Sequence, residues 1–512
     1  MHRLRDKKEM IIVTSIVIFA AVLLFFRISH RAFWGDEMAV LEYIGKTPKI
    51  FFIDYFRHPD NHAPLYYFLV LITYKIFPFG ELGVRLVSIF SSLAMLVVMY
   101  ALGKKVFADN VHPRIAIGLA VVSPFFILIG QMARYHSLAA FFTLSAFYFF
   151  CKIIWLECRR REYVYLTLFS ILVGLTDYPH FIYILVLFNA YVFYTLLKKI
   201  CSVHLKSWVI SQAVVCISFV PMLLLLYNRI VIQGDGGFEK RNLLGNGLVH
   251  YLLATGMHVY DFFIGENTFP WDWGVFVPIS VVLLVCLGSL IVHWKKITVR
   301  EKTIIGFAVA FIVINVVFMN YADSRYNFTV IPKFGFVAFP LSLLSLTICV
   351  KYLPKKIKGV CLIIYLAAAV YGLTNLYQAK NYLNASYFNT FGNFRFVEQQ
   401  HTKGDVLILN ANVTLSTYEF YRHSYFADMT SMTLDAATST PKTVNNRYWY
   451  FFTNAEGDSV DIPTIDAIPE GFKIMKRFDD VPQDVMLKKY KGMVLHRDGY
   501  TYKYTVFLLE KI

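Results

Sequence analysis

Long apolar runs separated by short basic clusters constrain this chain more than any other feature of its sequence. The runs fall at 10–27, 86–103, 114–132, 136–156, 163–178, 181–197, 207–227, 274–294, 303–321, 327–350 and 359–379. Each is near the length of about 17–25 residues that a helix needs to cross a hydrocarbon core of about 30 Å. With 57% hydrophobic and only 16% charged residues among 512, the chain has too little polar surface for a soluble protein of this size. The expected fold is a polytopic α-helical membrane protein of about eleven transmembrane helices.

The formal net charge of +16 raises the question of a nucleic-acid partner. The basic residues sit in clusters between apolar runs, however, which is the pattern that orients membrane helices and argues against nucleic acid. Segment 64–78 decides the topology. As a helix it reaches only about 22 Å, short of the core thickness of about 30 Å. If it does not cross, Lys104/Lys105/Arg114, Lys152/Arg159/Arg160/Arg161, Lys198/Lys199/Lys206, Lys295/Lys296/Arg300/Lys302 and Lys351/Lys355/Lys356/Lys358 all lie in the cytoplasm. If it crosses, all five clusters lie outside. The segment is therefore expected as an interfacial or half-inserted helix in a first external loop, 28–85.

Arg3, Arg5, Lys7 and Lys8 before the first run resemble a signal peptide, but the bulky, basic stretch after residue 24 offers no small-residue cleavage site. A retained first helix with a cytoplasmic amino end is the expectation. The seven cysteines show no paired metal-like spacing and are read as free thiols.

Residues 1–379 thus form a transmembrane domain, and 380–512 a separate extracytoplasmic domain. In the latter the apolar stretches shorten to 406–409, 448–452 and 504–509, strand-like in length and in β-branched and aromatic content. With helices expected at 386–401 and about 414–423, a small α/β domain follows.

Charged residues gather at the outer edges of the runs: Asp36, Glu37, His58, His62, Arg85, Arg134, Asp177, His180, Asp323, Arg325 and Lys333. Ionisable groups beside hydrocarbon are costly and tend to mark a site or a water-filled cavity. The acids offer a base. Arg85, Arg134, Arg325 and Lys333 offer the cations that a phosphate-bearing ligand needs. Lys333 lies about 10 Å inside its run at 1.5 Å per residue, where snorkelling to the headgroups is the competing explanation. His58 and His62, four residues apart, have the spacing of a metal pair on one helical turn, but Pro59 argues against a continuous helix there.

Taken in order, Phe33-Trp34-Gly35-Asp36-Glu37, His62-Ala63-Pro64-Leu65-Tyr66-Tyr67, Gly80-Glu81-Leu82-Gly83-Val84-Arg85 and Ala133-Arg134-Tyr135 resemble the C superfamily of membrane glycosyltransferases. Within it the resemblance is to the protein O-mannosyltransferase and lipid A aminoarabinose transferase branch. It runs over about residues 28–200, with an echo from Asp323-Ser324-Arg325-Tyr326 to Pro332. Ala63 replaces the first proline of the usual His-Pro-Pro. The resemblance implies inverting transfer of a sugar from a polyprenyl-phosphate carrier to a glycan, lipid or protein acceptor at the outer face. It makes Asp36 the base and Glu37 its orienting neighbour, with Arg85, Arg134, Arg325 and Lys333 on the donor phosphate. His58, His62, Tyr135, Asp177, His180 and Tyr326 are then expected at the substrate. No cofactor is required, since arginine and lysine can neutralise a monophosphate leaving group, although the two histidines leave a divalent metal open. The rival classes are a secondary transporter, which usually shows midplane charges and repeated halves, and a non-catalytic assembly protein on the same scaffold.

Overall fold

The computed structural model describes residues 2–512 apart from 31–32, 34, 59–61, 156–158, 199–202, 229–255, 257–258, 261, 271, 327–331, 379–389, 410–419, 422–424, 440–446, 457–467, 469 and 481–500. Along the chain run α1 (His2–Phe25), α2 (Gly35–Ile44), α3 (Pro48–Arg57), α4 (Leu65–Ile76), α5 (Gly80–Val106), α6 (Val111–Val122), α7 (Pro124–Gly130), α8 (His136–Trp155), α9 (Arg160–Gly174), α10 (Tyr178–Leu197) and α11 (Leu205–Tyr227). Helices Trp273–His293 and Val299–Tyr326 follow, then a 3-10 helix Pro332–Ala338 that leads into helix Phe339–Lys351, and then helix Lys355–Tyr377. The chain forms two compact units: Met1–Ile28 with Lys46–Tyr377, and Ser29–Gly45 with Gln378–Ile512.

The first unit is a helical membrane bundle. Among the described residues eight helices are long and apolar enough to span, lying in α1, α5, α8, α10, α11 and the helices that begin at Trp273, Val299 and Lys355. The other three of the eleven expected segments take different forms. Segment 114–132 is the bent pair α6–α7, turned by 65°. Pro124 has no N–H to continue α6, and Ser123 is extended and accepts the Phe126 N–H on its side chain at 3.4 Å, so a new helix starts there. Segment 163–178 is the 15-residue α9, which ends at Gly174. The described part of segment 327–350 is the 3-10 helix and the 13-residue helix after it. Segment 64–78 contains the 12-residue α4, about 18 Å long and too short to span.

The two ends of this bundle differ in chemistry. At one end charges pair with each other: Tyr100 donates to Glu9 at 2.5 Å, and Arg114 lies 3.2 Å from the same carboxylate. Lys152 meets Glu162 at 2.9 Å, Lys351 meets Glu301 at 2.7 Å, and Arg300 donates to the Lys105 carbonyl at 3.0 Å. Four of the five basic clusters thus supply a partner to this end. The other end holds the polar groups taken up below.

The second unit contains a five-stranded sheet, β1 (Val406–Leu409), β2 (Thr430–Thr433), β3 (Arg447–Glu456), β4 (Phe472–Asp480) and β5 (Thr501–Lys511). The order is β2-β1-β3-β5-β4; β1 is parallel to β2 and β3, and β5 antiparallel to β3 and β4. The three expected strands are the inner ones. The two edges, Thr-Ser-Met-Thr and Phe-Lys-Ile-Met-Lys-Arg-Phe-Asp-Asp, are polar or charged and give no apolar run. Ile408, Tyr448, Tyr450, Phe507 and Leu509 form the core of one face. The helix expected at 386–401 is found at Thr390–Gln400, whereas most of 414–423 lies outside the described residues.

Candidate active site

The site starts from the way α5 begins. Gly80 has φ +58°, a left-handed turn that favours glycine. Gly83 lies so close to the preceding turn that a Cβ there would fall 2.2 Å from the Phe77 carbonyl oxygen. This close approach fixes the first turns of α5, which carry Arg85 and Ser88. The buried Arg85 donates from Nη1 to the Ile28 carbonyl at 2.6 Å, just past the end of α1. Ser88 donates to the Arg134 carbonyl at 3.1 Å, so its single proton is taken and Tyr66, 2.9 Å away, is the donor to Ser88.

The 131–136 junction between α7 and α8 ties these pieces together. Gln131 is buried and donates from Nε2 to the Leu24 and Phe26 carbonyls at 2.9 and 3.0 Å, satisfying groups that the end of α1 would otherwise leave open. Three residues on, Arg134 Nη2 lies 2.8 Å from His62 Nε2, and Nη1 lies 3.4 Å from the Tyr67 hydroxyl. A guanidinium can only donate, so His62 Nε2 accepts and its ring is neutral with the proton on Nδ1. The guanidinium also sits over the Tyr135 ring at 5.5 Å, and that ring packs against His62 and His136 at 4.6 and 4.3 Å between centroids. Tyr55 donates to the His62 carbonyl and lies 3.5 Å from the Tyr178 hydroxyl.

Asp177 and His180 enter from the start of α10. The Leu65 N–H donates to the Leu175 carbonyl at 2.9 Å, which holds the α9–α10 turn against α4. Asp177 is the N-cap of α10: its Oδ2 accepts the His180 backbone N–H at 3.2 Å and also the His180 ring Nδ1–H. Burial pushes the Asp177 carboxyl up, but the contacts from His180 more than offset this and hold it below the usual carboxylate range. The carboxylate is ionised and fixes the ring proton on Nδ1.

Lys333, at the start of the 3-10 helix, is buried, and its charge and that of Arg134 act on His136. Arg134, His136, Asp177, His180 and Lys333 are each 5% exposed or less. One cluster therefore unites His62, Arg134, Tyr135, Asp177, His180 and Lys333 among the expected residues. His136 was not foreseen; its only sequence signal is its place beside Arg134-Tyr135 at the head of an apolar run.

Other expected residues belong to other elements. Asp36 and Glu37 stand in the first turn of α2, within the second unit, where Glu37 is buried. Phe33 anchors that turn: its N–H donates to the Tyr421 hydroxyl at 2.9 Å and its ring meets Phe420 at 5.2 Å. His58 is exposed at the end of α3, which stops at Arg57, so it shares no helix with His62. Arg325 and Tyr326 close the helix that begins at Val299, and their side chains are outside the described residues. Among the described residues, no three His, Cys, Asp or Glu side chains are grouped to hold a metal.

Residues 61–225 match the dolichyl-phosphate-mannose-protein mannosyltransferase family. No curated protein matches the chain by sequence. Among solved structures, ArnT from Cupriavidus metallidurans in the apo state is similar with a TM-score of 0.56 and 13% identity, covering 86% of this chain and 92% of that one. The same protein bound to undecaprenyl phosphate gives a TM-score of 0.54 at 13% identity and the same coverage. At this identity the likeness is one of fold: the chain has the fold of ArnT, with its mannosyltransferase-like segment at residues 61–225.

Proposed function

We propose that this protein is an inverting glycosyltransferase that moves a sugar from a polyprenyl-phosphate carrier to a glycan, lipid or protein acceptor at the outer face of the cell membrane. The observation that carries the reading is the burial of two fixed cations, Arg134 and Lys333, in one cluster of a membrane bundle. Cations gathered in one cluster match the charge and hydrogen-bonding needs of a phosphate-bearing ligand. Arg134 lies in the mannosyltransferase-like segment, and the ArnT fold has been seen with undecaprenyl phosphate bound.

In this reading Asp36 takes the proton of the acceptor hydroxyl as its oxygen attacks the anomeric carbon. The bond from that carbon to the phosphate oxygen breaks with inversion, and the polyprenyl phosphate leaves with the electron pair. Arg134 and Lys333 hold the charge on the departing phosphate, joined by Arg325 and by Arg85, which also ties down the end of α1. Glu37 orients the acceptor, and His58, His62, Tyr135, Asp177, His180 and Tyr326 line the substrate. Sidedness follows the charges: the basic clusters and amino end in the cytoplasm, the first loop and the domain 380–512 outside.

The test is turnover by the purified protein with polyprenyl-phosphate sugars, together with mass spectrometry of envelope glycans and glycoproteins in a strain lacking it. Loss of one sugar substituent from the envelope, restored by the wild type and not by Asp36→Asn, is the expected result. Full restoration by Asp36→Asn would instead favour a non-catalytic assembly role.

A further inference from the structure

The long segment between α11 and the helix that begins at Trp273 reaches into the bundle. Among its described residues Phe262, Glu266, Asn267 and Thr268 are fully buried. The segment closes on itself, with the Tyr260 hydroxyl donating to the Thr268 carbonyl at 2.9 Å and the Thr268 N–H to the Gly265 carbonyl at 3.2 Å. Gly265 makes the turn with φ +87°. Asn375 of the helix Lys355–Tyr377 donates to the Asn267 carbonyl at 2.9 Å and anchors it.

Two glycines let this segment come close to its neighbours. A Cβ on Gly265 would lie 2.9 Å from the Phe125 backbone nitrogen, at the start of α7. A Cβ on Gly335 would lie 2.5 Å from Phe262 Cζ and 3.2 Å from Asn315 Nδ2 of the helix Val299–Tyr326. Gly335 does not have a positive φ, so what keeps a side chain out is room and not backbone conformation. The Phe262 ring has nowhere to swing, because it is fully buried and packs on Phe125 with centroids 5.9 Å apart. Phe125 in turn meets Phe336 and Phe339 at 5.4 and 5.8 Å. These contacts join the two segments that carry the cations. Gly335 stands two residues after Lys333 in the 3-10 helix, about 4 Å along its axis. Phe125 stands in α7, the helix that leads into the 131–136 junction and Arg134. A 3-10 helix has poorer hydrogen bonds than an α-helix, so the place of this one depends on what packs against it.

We propose that Phe262, seated on Gly335, is a positioning residue for the donor phosphate: it sets the segment of Lys333 against the helix that leads to Arg134. The proposal rests on the donor-phosphate reading above and deepens it. A phosphate held between two cations is sensitive to their placement, since working sites hold their groups to within about 0.5 Å. The Phe262 side chain has no charge and no hydrogen-bonding group, so its effect on phosphate affinity passes through the cations it places.

The test is the affinity of the full chain in detergent for undecaprenyl phosphate and for undecaprenol, which lacks the phosphate, with thermal unfolding of each variant. Gly335→Ala adds a methyl where the ring already sits. It is expected to weaken undecaprenyl phosphate binding about 10- to 150-fold, the scale of one lost charge-assisted contact, with undecaprenol binding unchanged. Combining it with Phe262→Leu, which gives up ring volume at the same spot, is expected to recover most of that loss. In a Lys333→Met background Gly335→Ala is expected to cost little more, because the group through which it acts is gone. Should Gly335→Ala fail to fold, Phe262→Leu alone carries the comparison: a loss specific to the phosphate, and absent in the Lys333→Met background, is then expected. Wild-type phosphate affinity in the variant compared, an equal loss of undecaprenol binding, no recovery in the double variant, or an undiminished loss in the Lys333→Met background each overturns the inference and leaves the donor reading standing. Wild-type phosphate affinity in Lys333→Met itself overturns the donor role of Lys333 and the inference with it.

Discussion

Replacing Arg134 by Met separates the charge at the centre of the cluster from the packing around it. Met fills most of the aliphatic volume and, besides the stacking over Tyr135, loses two contacts that matter here. The first is the 2.8 Å contact to His62 Nε2, a charge-assisted bond; the Tyr67 contact at 3.4 Å is at the limit of a hydrogen bond and adds little. The second is the interaction with the donor phosphate. Each is of order 1.5–3 kcal/mol, the second therefore roughly 10- to 150-fold in donor affinity. His62→Ala provides the comparison, because it removes the first contact and keeps the guanidinium. Thermal unfolding in detergent should fall by a similar amount for the two variants. The affinity for undecaprenyl phosphate should fall much further for Arg134→Met, while undecaprenol binding stays level in both. Equal loss of phosphate affinity in the two variants, or equal loss of undecaprenol binding by Arg134→Met, would refute a phosphate-binding role and leave Arg134 as a support for the His62 loop.

Asp36→Asn should lower turnover by about 10²–10⁴ with donor affinity retained, the scale of lost general-base catalysis; Glu37→Gln should lose less, and the reverse order would exchange their roles. Gln131→Leu leaves the Leu24 and Phe26 carbonyls without their buried donor and should cost about 1–3 kcal/mol of stability. Gln131→Glu, similar in shape and unable to donate when ionised, should fall as far, and a stable Glu variant would show that packing alone holds α1. For sidedness, cysteines at Phe79 and Ala108, both exposed, should differ toward an impermeant reagent in intact cells. Labelling at 108 and not at 79 would invert the topology.

Residues that announce themselves by type were legible in the sequence. Arg134 and Lys333 stand out because a charge inside or beside an apolar run has few structural uses. His136 and Gln131 do not, since a lone histidine or amide at a helix end has many. Proline shows the same limit for helix breaks. Pro221 and Pro278 lie inside continuous helices, while Pro124 ends one, because only there does a serine at the preceding position cap a new helix. In the second unit, the inner strands declared themselves by apolar content and the edge strands, being polar, did not.

The sequence by itself determined the membrane class, the helical bundle and the α/β unit, because hydrophobicity and charge act locally and can be read run by run. Only the tertiary structure decided which of those charges meet. That His62, Arg134, Asp177, His180 and Lys333 share one cluster depends on packing between segments far apart in the chain. That the Phe33–Glu37 turn belongs to the same compact unit as the carboxy-terminal domain depends on a bond from Phe33 to Tyr421, 388 positions away. Contacts at that separation leave no periodicity or spacing in the sequence, because what selects them is the shape and hydrogen-bonding need of surfaces that exist only once the chain has folded.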